Sequence, residues 1–456
     1  MRMVVIGGDA AGITAASHVR RARPDAEIVV LERTPYTSYS MCGIPAYIGE
    51  EIATAGDLVV RWPEQLRQAG IDVRTGVEAV AVDAEARTVA TRDVATGAAA
   101  SEAYDVLLLA NGAHPALPPL PGVEHAQVVH TLDEGEALRT RLDAGGPDQR
   151  VVVVGAGYIG LELAEALVHR GLDARLVDLA EQVMPSLDPP IAARVAEALR
   201  EHGVALHLGE GLVEVALDDD GGREVVTTAG RYPADTVVLA LGARPNVGLA
   251  ESAGCALGDS GAVAVDGRMR TSVPGIWAAG DVVESRHLVT GRGVNIQLGT
   301  HANKQGKVAG IDIASQPGDG AATFPGVVGT AITKVCATEI ARTGVSAAEA
   351  EAAGLEVAEV RFEGTAKAGY MPDPGHVEVV MRAEVGSGRI VGCQLVGGPG
   401  VGKRIDVAAT WVQLGVSAPQ AQFLDLSYAP PFGGVWDVLA VGARKLTKEL
   451  GLDPQL

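Results

Sequence analysis

A partner for Cys42 is the first thing this sequence lacks. Its 456 residues hold four cysteines, at 42, 255, 336 and 393, too few and too scattered for a disulfide framework. No second cysteine stands close enough in sequence to close a Cys-x-x-Cys or Cys-x4-Cys disulfide with Cys42. No apolar run reaches about 18 residues, so no membrane-spanning helix is expected. The opening MRMVVIGG starts a strand at once, without the charged leader and apolar stretch of a secretory signal. Basic charge is also short: 37 Lys and Arg stand against 57 Asp and Glu, a net charge of −20. That argues against nucleic acid or an anionic membrane as partner. These absences fit a reducing, cytoplasmic setting and small-molecule partners, and local basic patches can still hold small anions.

What is present is the balance of a globular chain, 47% hydrophobic and 21% charged, long enough for two to four domains. Two stretches repeat one pattern of strand, glycine turn, helix, strand and acid. In MVVIGGDAAGITAASHVRRARPDAEIVVLER (3–33), an apolar strand enters Gly7 to Gly12 and then an alanine-rich helix. A second strand, Ile28 to Leu31, ends at Glu32, 20 residues after Gly12. Gly7 permits the tight turn, Gly12 lets helix and strand approach, and the helix N-terminus faces a pyrophosphate. Glu32 is placed to bind ribose hydroxyls. Asp9 stands where the second fingerprint glycine is expected, and its carboxylate would repel a pyrophosphate. It must therefore point away or be neutralised.

The second stretch, VVVVGAGYIGLELAEALVHRGLDARLVD (151–178), completes the fingerprint with Gly155, Gly157 and Gly160 and ends its second strand at Asp178. A carboxylate there favours NADH, because it would meet a 2′-phosphate as a like charge, though NADPH stays open. Two such units imply two dinucleotides, one a bound flavin (FAD) and one an exchanging nicotinamide. The segment TSVPGIWAAGDVVE (271–284) brings Asp281 to another part of the flavin. Two apolar strands stopped by Gly and Pro, YDVLLLANGAHP (104–115) and ADTVVLALGARPN (234–246), read as crossings between the nucleotide domains.

The segment SYSMCGIPAYIG (38–49) follows the acidic end of the first unit. A lone cysteine beside a redox cofactor must cycle as a mixed disulfide with a small thiol, a sulfenic acid or a persulfide. Cys255, Cys336 and Cys393 lie among small apolar residues and read as buried, inert thiols. No metal site is expected.

Together these residues resemble the flavin-dependent pyridine nucleotide–disulfide oxidoreductases, in their single-cysteine branch of coenzyme A-disulfide reductases, NADH oxidases and polysulfide reductases. LGTHANKQGKVAG (298–310), GKRIDVAATWV (402–412) and DLSYAPPFGGVWDVL (425–439) extend the resemblance over essentially the whole chain. It implies an α/β fold with two three-layer, Rossmann-like nucleotide-binding domains and a C-terminal α+β dimerisation domain. The implied divisions are 1–115 and 247–324 for FAD, 116–246 for NAD(P)H, and 325–456 for dimerisation, with the Gly- and Pro-rich 311–325 as linker. The resemblance adds Ala10, Ala11, Arg33, Ser40, Asn111, Gly112, Thr300, His301, Ala302, Tyr158, Ile159, Glu162 and Gly242 to the cofactor contacts. Among these, His301 either touches flavin or supports a helix start. Tyr158 is either a gate over the flavin or a packing residue. Glu162 is either a carboxylate near the flavin–nicotinamide contact or an ordinary helix residue.

Ser38, Cys42, Gly43 and Pro45 reproduce the Ser-x-x-x-Cys-Gly-x-Pro pattern of the coenzyme A-disulfide reductases, and the first glycine loop lacks the histidine of the peroxidases. The resemblance places Ser38, Met41, Arg20 and Arg21 at the substrate, the arginines at coenzyme A phosphates; a plain solvated helix end is the alternative for that pair. It implies a homodimer in which Tyr428, from Tyr-Ala-Pro-Pro-Phe, reaches the other subunit's cysteine, with Tyr370 as a second candidate. Met41 for asparagine, His18 for glutamine and Trp62 for threonine depart from the reductase pattern, as does GGVWDVL after Phe432. They leave the physiological acceptor open.

The implied activity is FAD-dependent, NAD(P)H-driven reduction of coenzyme A disulfide or a related low-molecular-weight disulfide through Cys42, with coenzyme A as a mixed disulfide on that residue. The flavin and a nearby helix N-terminus are expected to lower the thiol's pKa. NADH oxidase and polysulfide or persulfide reductase are alternatives within the family. A flavoprotein redox sensor is the alternative from another class.

Overall fold

Alternation along the strand Arg2–Ile6 shows how the first domain is layered. Met3 and Val5 pack with Ile13, Ala16 and Val19 of the helix Ala10–Ala22 and with Val308 and Ala309 of the helix Gly299–Ala314. Val4 and Ile6 point the other way and pack with Val82 and Val89 of an antiparallel meander, Val77–Asp83, Thr88–Asp93 and Ala99–Ala103. A strand buried on both faces has no polar side to present, which is why it reads as an unbroken apolar run. Each fully buried Val or Leu contributes roughly 1.5–3 kcal/mol.

The computed structural model describes residues 1–217, 222–316 and 322–453; residues 317–321, inside the expected linker, lie outside them. The first sheet is parallel, in the order Ile276–Ala278, Val106–Leu109, Arg2–Ile6, Glu27–Glu32 and Asp72–Thr75. Chain from beyond residue 270 thus completes a sheet begun at residue 2. The helices Ala10–Ala22 and Gly299–Ala314 lie in close contact because glycine faces backbone. A Cβ at Gly306 would stand 2.3 Å from the Ala11 carbonyl oxygen.

A second parallel sheet runs Ala205–Leu208, Asp173–Asp178, Arg150–Val154, Thr236–Leu239 and Gln127–Val128. It repeats the layering: Val151 and Val153 pack with Leu161 and Leu167 of the helix Tyr158–His169, while Val152 and Val154 pack with Val215 and Val225 of a second meander. The two crossings pair as a short antiparallel ribbon, Ala113–Pro115 with Ala243–Pro245.

The C-terminal domain is a five-stranded antiparallel sheet, in the order Ala331–Val335, Thr338–Gly344, Ile390–Gly397, His376–Glu384 and Val357–Thr365. The helices Ile405–Leu414 and Val438–Glu449 share its core. A buried ion pair fastens this domain to the second one: Arg382 Nη1 meets Asp188 Oδ2 at 2.7 Å, with both side chains almost fully buried. Among the described residues no helix is long and apolar enough to cross a membrane.

Candidate active site

Close backbone contact forces both glycine turns. Gly7 has φ +106°, and a Cβ there would lie 2.1 Å from the Ala110 carbonyl oxygen; Gly155 has φ +114° and would meet Ala240 at 2.3 Å. Farther along each turn, a Cβ at Gly12 or Gly160 would stand 2.0 Å or 1.8 Å from the carbonyl oxygen of Gly7 or Gly155. Each helix therefore sits directly against its own turn, and neither has a side-chain N-cap bond. Apart from the Ala10 N–H, which faces the Asp9 carboxyl, the first-turn N–H groups are left to an anion. Gly157 is the N-cap of the second of these helices, and Ile159 in its first turn is exposed.

The strand-end acids hold the same turns. Glu32 Oε2 accepts the Gly8 N–H at 2.7 Å, and Oε1 accepts the Thr34 N–H and hydroxyl at 2.8 and 2.7 Å. Asp178 Oδ2 accepts the Ala156 N–H at 2.5 Å and Oδ1 the Ala180 N–H at 2.7 Å.

The first turn fits a flavin dinucleotide on a further count. At the crossing beside it, Asn111 Oδ1 is buried without a hydrogen-bond partner, while its Nδ2 donates to Asn246 O at 2.8 Å. Gly112 and Gly242 take left-handed conformations where the crossings turn. Gly280 brings Ala11 and Ala302 together, since a Cβ there would touch both. The next residue, Asp281, has its carboxyl pushed up to about 6 by burial. Asp9 is pushed further, to about 7, by burial and then by Glu32. Thr300, His301 and Ala302 form the first turn of Gly299–Ala314. The His301 ring meets Phe324 edge-on, with Nδ1 3.5 Å from Ile296 O. Arg33 is exposed beyond Glu32.

Cys42 lies in a single 3₁₀ turn, Met41–Gly43, ahead of the short helix Ile44–Ile48. Two bonds zip its approach to the opposite segment: Ser40 N–H to Leu58 O at 2.9 Å, and Val60 N–H to Ser38 O at 2.8 Å. Ser38 has φ +47°. Cys42 is the exposed cysteine. The expectation of a lowered thiol pKa is not met by the protein's own groups. Desolvation by the cleft pushes the thiol up, and the Glu162, Asp281 and Asp9 carboxylates add to it. A backbone N–H at Cys42 itself opposes them. Glu162 is itself pushed up by burial, and its Oε1 accepts the hydroxyl of Thr333, on the C-terminal sheet, at 2.6 Å. Tyr158 is half-buried against the same core, its phenol pushed up by burial. Cys255 and Cys393 are buried as expected. Cys336 differs: it is half-buried in the turn after Val335, with φ +56°.

Arg20 is engaged within its own segment. Its guanidinium donates to Pro24 O at 2.7 Å and Ala26 O at 2.6 Å, closing the turn after its own helix. Arg21 is exposed, and Arg61 takes the neighbouring position that spacing alone did not single out, with Nη1 donating to Ser17 Oγ at 3.1 Å. The positive field of Arg21 lowers the pKa of both His18 and Arg61, after burial, and Lys307 acts on His18 as well. This is a local basic group on an acidic protein. Beside it Tyr36 packs against Trp62 and Tyr39, ring centroids 6.2 and 6.4 Å apart.

Tyr370 and Tyr428 lie together on the C-terminal domain, both exposed, and the Tyr428 hydroxyl pushes the Tyr370 phenol up through a hydrogen bond. Arg404 ties their loops, donating to Ala366 O at 2.6 Å and to Phe432 O. Phe423, Leu424, Phe432, Val435 and Trp436 are also exposed in this region. Among the described residues one cluster, Glu363, His376 and Glu378, has ligand atoms close enough for a metal. Arg361 and Arg194 already pair with its carboxylates at 2.6–3.2 Å.

Residues 1–306 match the family model described as pyridine nucleotide-disulphide oxidoreductase, and residues 330–439 its dimerisation domain. An NAD(P)H coenzyme A polysulfide/persulfide reductase of Pyrococcus horikoshii is 37% identical over 98% of each chain. An NADH oxidase of Methanocaldococcus jannaschii is 36% identical over 99% of each. The structure of an NAD-dependent persulfide reductase from A. fulgidus superposes with a TM-score of 0.94 at 38% identity, covering 99% of this chain and 84% of that one.

Proposed function

The chain belongs to the pyridine nucleotide-disulphide oxidoreductases, FAD-dependent enzymes, and from that premise we propose that it reduces a phosphate-bearing thiol's disulfide, coenzyme A disulfide or a close relative, with NADH as donor. Bound FAD would supply the two-electron transfer between the nicotinamide and sulfur. The observation that carries the reading is one exposed cysteine, Cys42, in a cleft shared by carboxyls from both nucleotide domains. The basic group of Arg21 and Arg61 supports an anionic substrate.

Gly7, Gly12 and Glu32 would hold the flavin, with Asn111 and Asp281. Gly155, Gly160 and Asp178 would hold NADH. The Cys42 thiolate attacks the substrate disulfide, the S–S bond breaks, one thiol leaves and the other stays on Cys42 as a mixed disulfide. Reduction of that bond by two electrons releases the second thiol and restores the Cys42 thiolate. A thiolate is required because the protonated thiol is a poor nucleophile, so the raised pKa makes Glu162 a control point for Cys42 reactivity. The matched dimerisation domain points to a homodimer, in which Tyr428 supplied by the second copy would protonate the leaving thiolate.

The P. horikoshii relative favours a second reading on the same residues, in which a polysulfide or persulfide is the acceptor. Intact-mass measurement of the non-reduced protein tests the proposal. A coenzyme A-sized adduct on Cys42, released by NADH, is the expected result. Added sulfur atoms alone would favour the second reading, and NADH consumption that stops after one equivalent with every acceptor would leave only a sensor.

A further inference from the structure

The helix that follows Cys42 is too short to stand alone. Ile44–Ile48 has five residues, whereas isolated helices shorter than about 12–15 residues are marginal. What fixes it lies outside it. Ahead of Cys42, the pairing of Ser38 and Ser40 with Val60 and Leu58 fastens the chain within the first domain. Beyond Cys42, the fasteners come from two helices packed on the second sheet, Leu132–Gly145 and Tyr158–His169. Ile44, Tyr47 and Ile48 share the core of that second domain with Leu138, Leu142 and Leu167. Glycine permits the close seat: a Cβ at Gly135 would stand 2.6 Å from Ile44 Cγ2, and one at Gly49 would stand 3.0 Å from Ala166 Cβ.

Two arginines then close the seated helix at its far end. A helix end leaves its last carbonyls without intrahelical donors. Here Arg170 Nη1 donates to Ile48 O at 3.1 Å. Arg139 Nη1 donates to Tyr47 O at 2.9 Å and to Ile52 O and Ala53 O at 3.1 Å. The Arg139 guanidinium also lies over the Tyr47 ring, 4.4 Å from its centroid. The Arg170 side chain is 8% exposed, and its Nη2 meets Asp143 at 2.5 Å and Glu50 at 3.4 Å. Glu50 has φ +66°, a left-handed conformation that a residue other than glycine keeps only when its surroundings hold it. Bonds from a charged donor are stronger than neutral ones.

We propose that Arg139 and Arg170 are positioning residues for Cys42, fixing from the second domain where its sulfur stands relative to bound FAD. This rests on the reading of Cys42 as the redox sulfur. Both arginines bond carbonyls of residues 47 to 53, beyond Cys42 in the chain, and act on the sulfur through the helix between. Their loss therefore slows electron transfer at sulfur and leaves hydride entry to the flavin intact. A displacement of about 1 Å at a reacting atom costs up to about a hundredfold in rate.

The test compares full-length holoenzymes of wild type, Arg139→Met, Arg139→Lys and Arg170→Met. In both methionine variants kcat for NADH-driven reduction of coenzyme A disulfide, or of polysulfide if that is the acceptor, should fall about ten- to a hundredfold, with KM within about threefold. NADH-dependent ferricyanide reduction and FAD content should stay within about twofold of wild type. Arg139→Lys should recover most of the loss, because the three carbonyl bonds of Arg139 leave one nitrogen and an ammonium has three donors. Hydrogen exchange read by mass spectrometry should quicken over residues 44–53 in the methionine variants and not over Arg150–Val154. Wild-type kcat in both methionine variants, unchanged exchange over 44–53, or a fall shared equally by ferricyanide reduction and FAD content would overturn the proposal. A wild-type enzyme that reduces ferricyanide but neither sulfur acceptor would overturn the reading of Cys42 instead, and exchange over 44–53 would still decide whether the arginines fix the helix.

Discussion

Replacing Thr333 by Val should make Cys42 more nucleophilic from another domain. The Thr333 hydroxyl donates to Glu162 Oε1 at 2.6 Å, and a hydrogen bond to a buried charged group contributes about 1.5–3 kcal/mol. Without it, the ratio of ionised to protonated Glu162 falls roughly ten- to a hundredfold. Glu162 is already pushed up by burial, so it spends more of the neutral range uncharged. Cys42 then faces one carboxylate fewer, and because Glu162 pushes the thiol up, its removal favours the thiolate. The pH profile of Cys42 alkylation by iodoacetamide in the reduced holoenzyme, read by intact mass, should move to lower pH. Glu162→Gln should move it at least as far. Unchanged profiles in both variants, or a shift to higher pH, would refute the electrostatic link.

The account makes three other predictions. The enzyme should have the higher kcat/KM with NADH, and Asp178→Ala with a basic residue at Leu179 should raise relative activity with NADPH; a native preference for NADPH would contradict the role given to Asp178. Arg382→Met strands the buried Asp188 carboxylate and should cost about 3–5 kcal/mol by denaturant unfolding, with Asp188→Asn in the same chain recovering part of it; no loss of stability would mean the pair does not fasten the domains. Mixing inactive Cys42→Ser and Tyr428→Ala proteins under subunit exchange should restore activity, since each heterodimer regains one intact site; no recovery would place each site within one chain.

Glycine, strand and acid spacing made both nucleotide turns legible, because Gly7, Gly12, Gly155 and Gly160 are required by backbone contacts close in sequence or at a strand crossing. The alternation of Val151 to Val154 between two cores likewise follows from an unbroken apolar run. The surroundings of Cys42 were not legible. They are set by burial first and then by Glu162, Asp281 and Asp9, carboxyls more than a hundred residues apart in sequence, which together push the thiol up. The bonds of Arg20 were not legible because a basic residue late in a helix looks free until the following turn folds back, offering the carbonyls of Pro24 and Ala26. Arg61 was hidden because only the pairing of 38–40 with 58–60 brings it beside Ser17 and Arg21. Asp9 is pushed up to about 7 by burial and then by Glu32, surroundings that the sequence alone did not show.

The central claim is that Cys42 alone carries electrons to a disulfide substrate, and the most direct test is Cys42→Ser assayed in two ways on one preparation. Reduction of coenzyme A disulfide by NADH should fall to background, while FAD content and NADH-dependent reduction of an artificial acceptor remain near wild type, because hydride transfer to the flavin does not need the sulfur. Disulfide reduction at the wild-type rate in that variant would contradict the account.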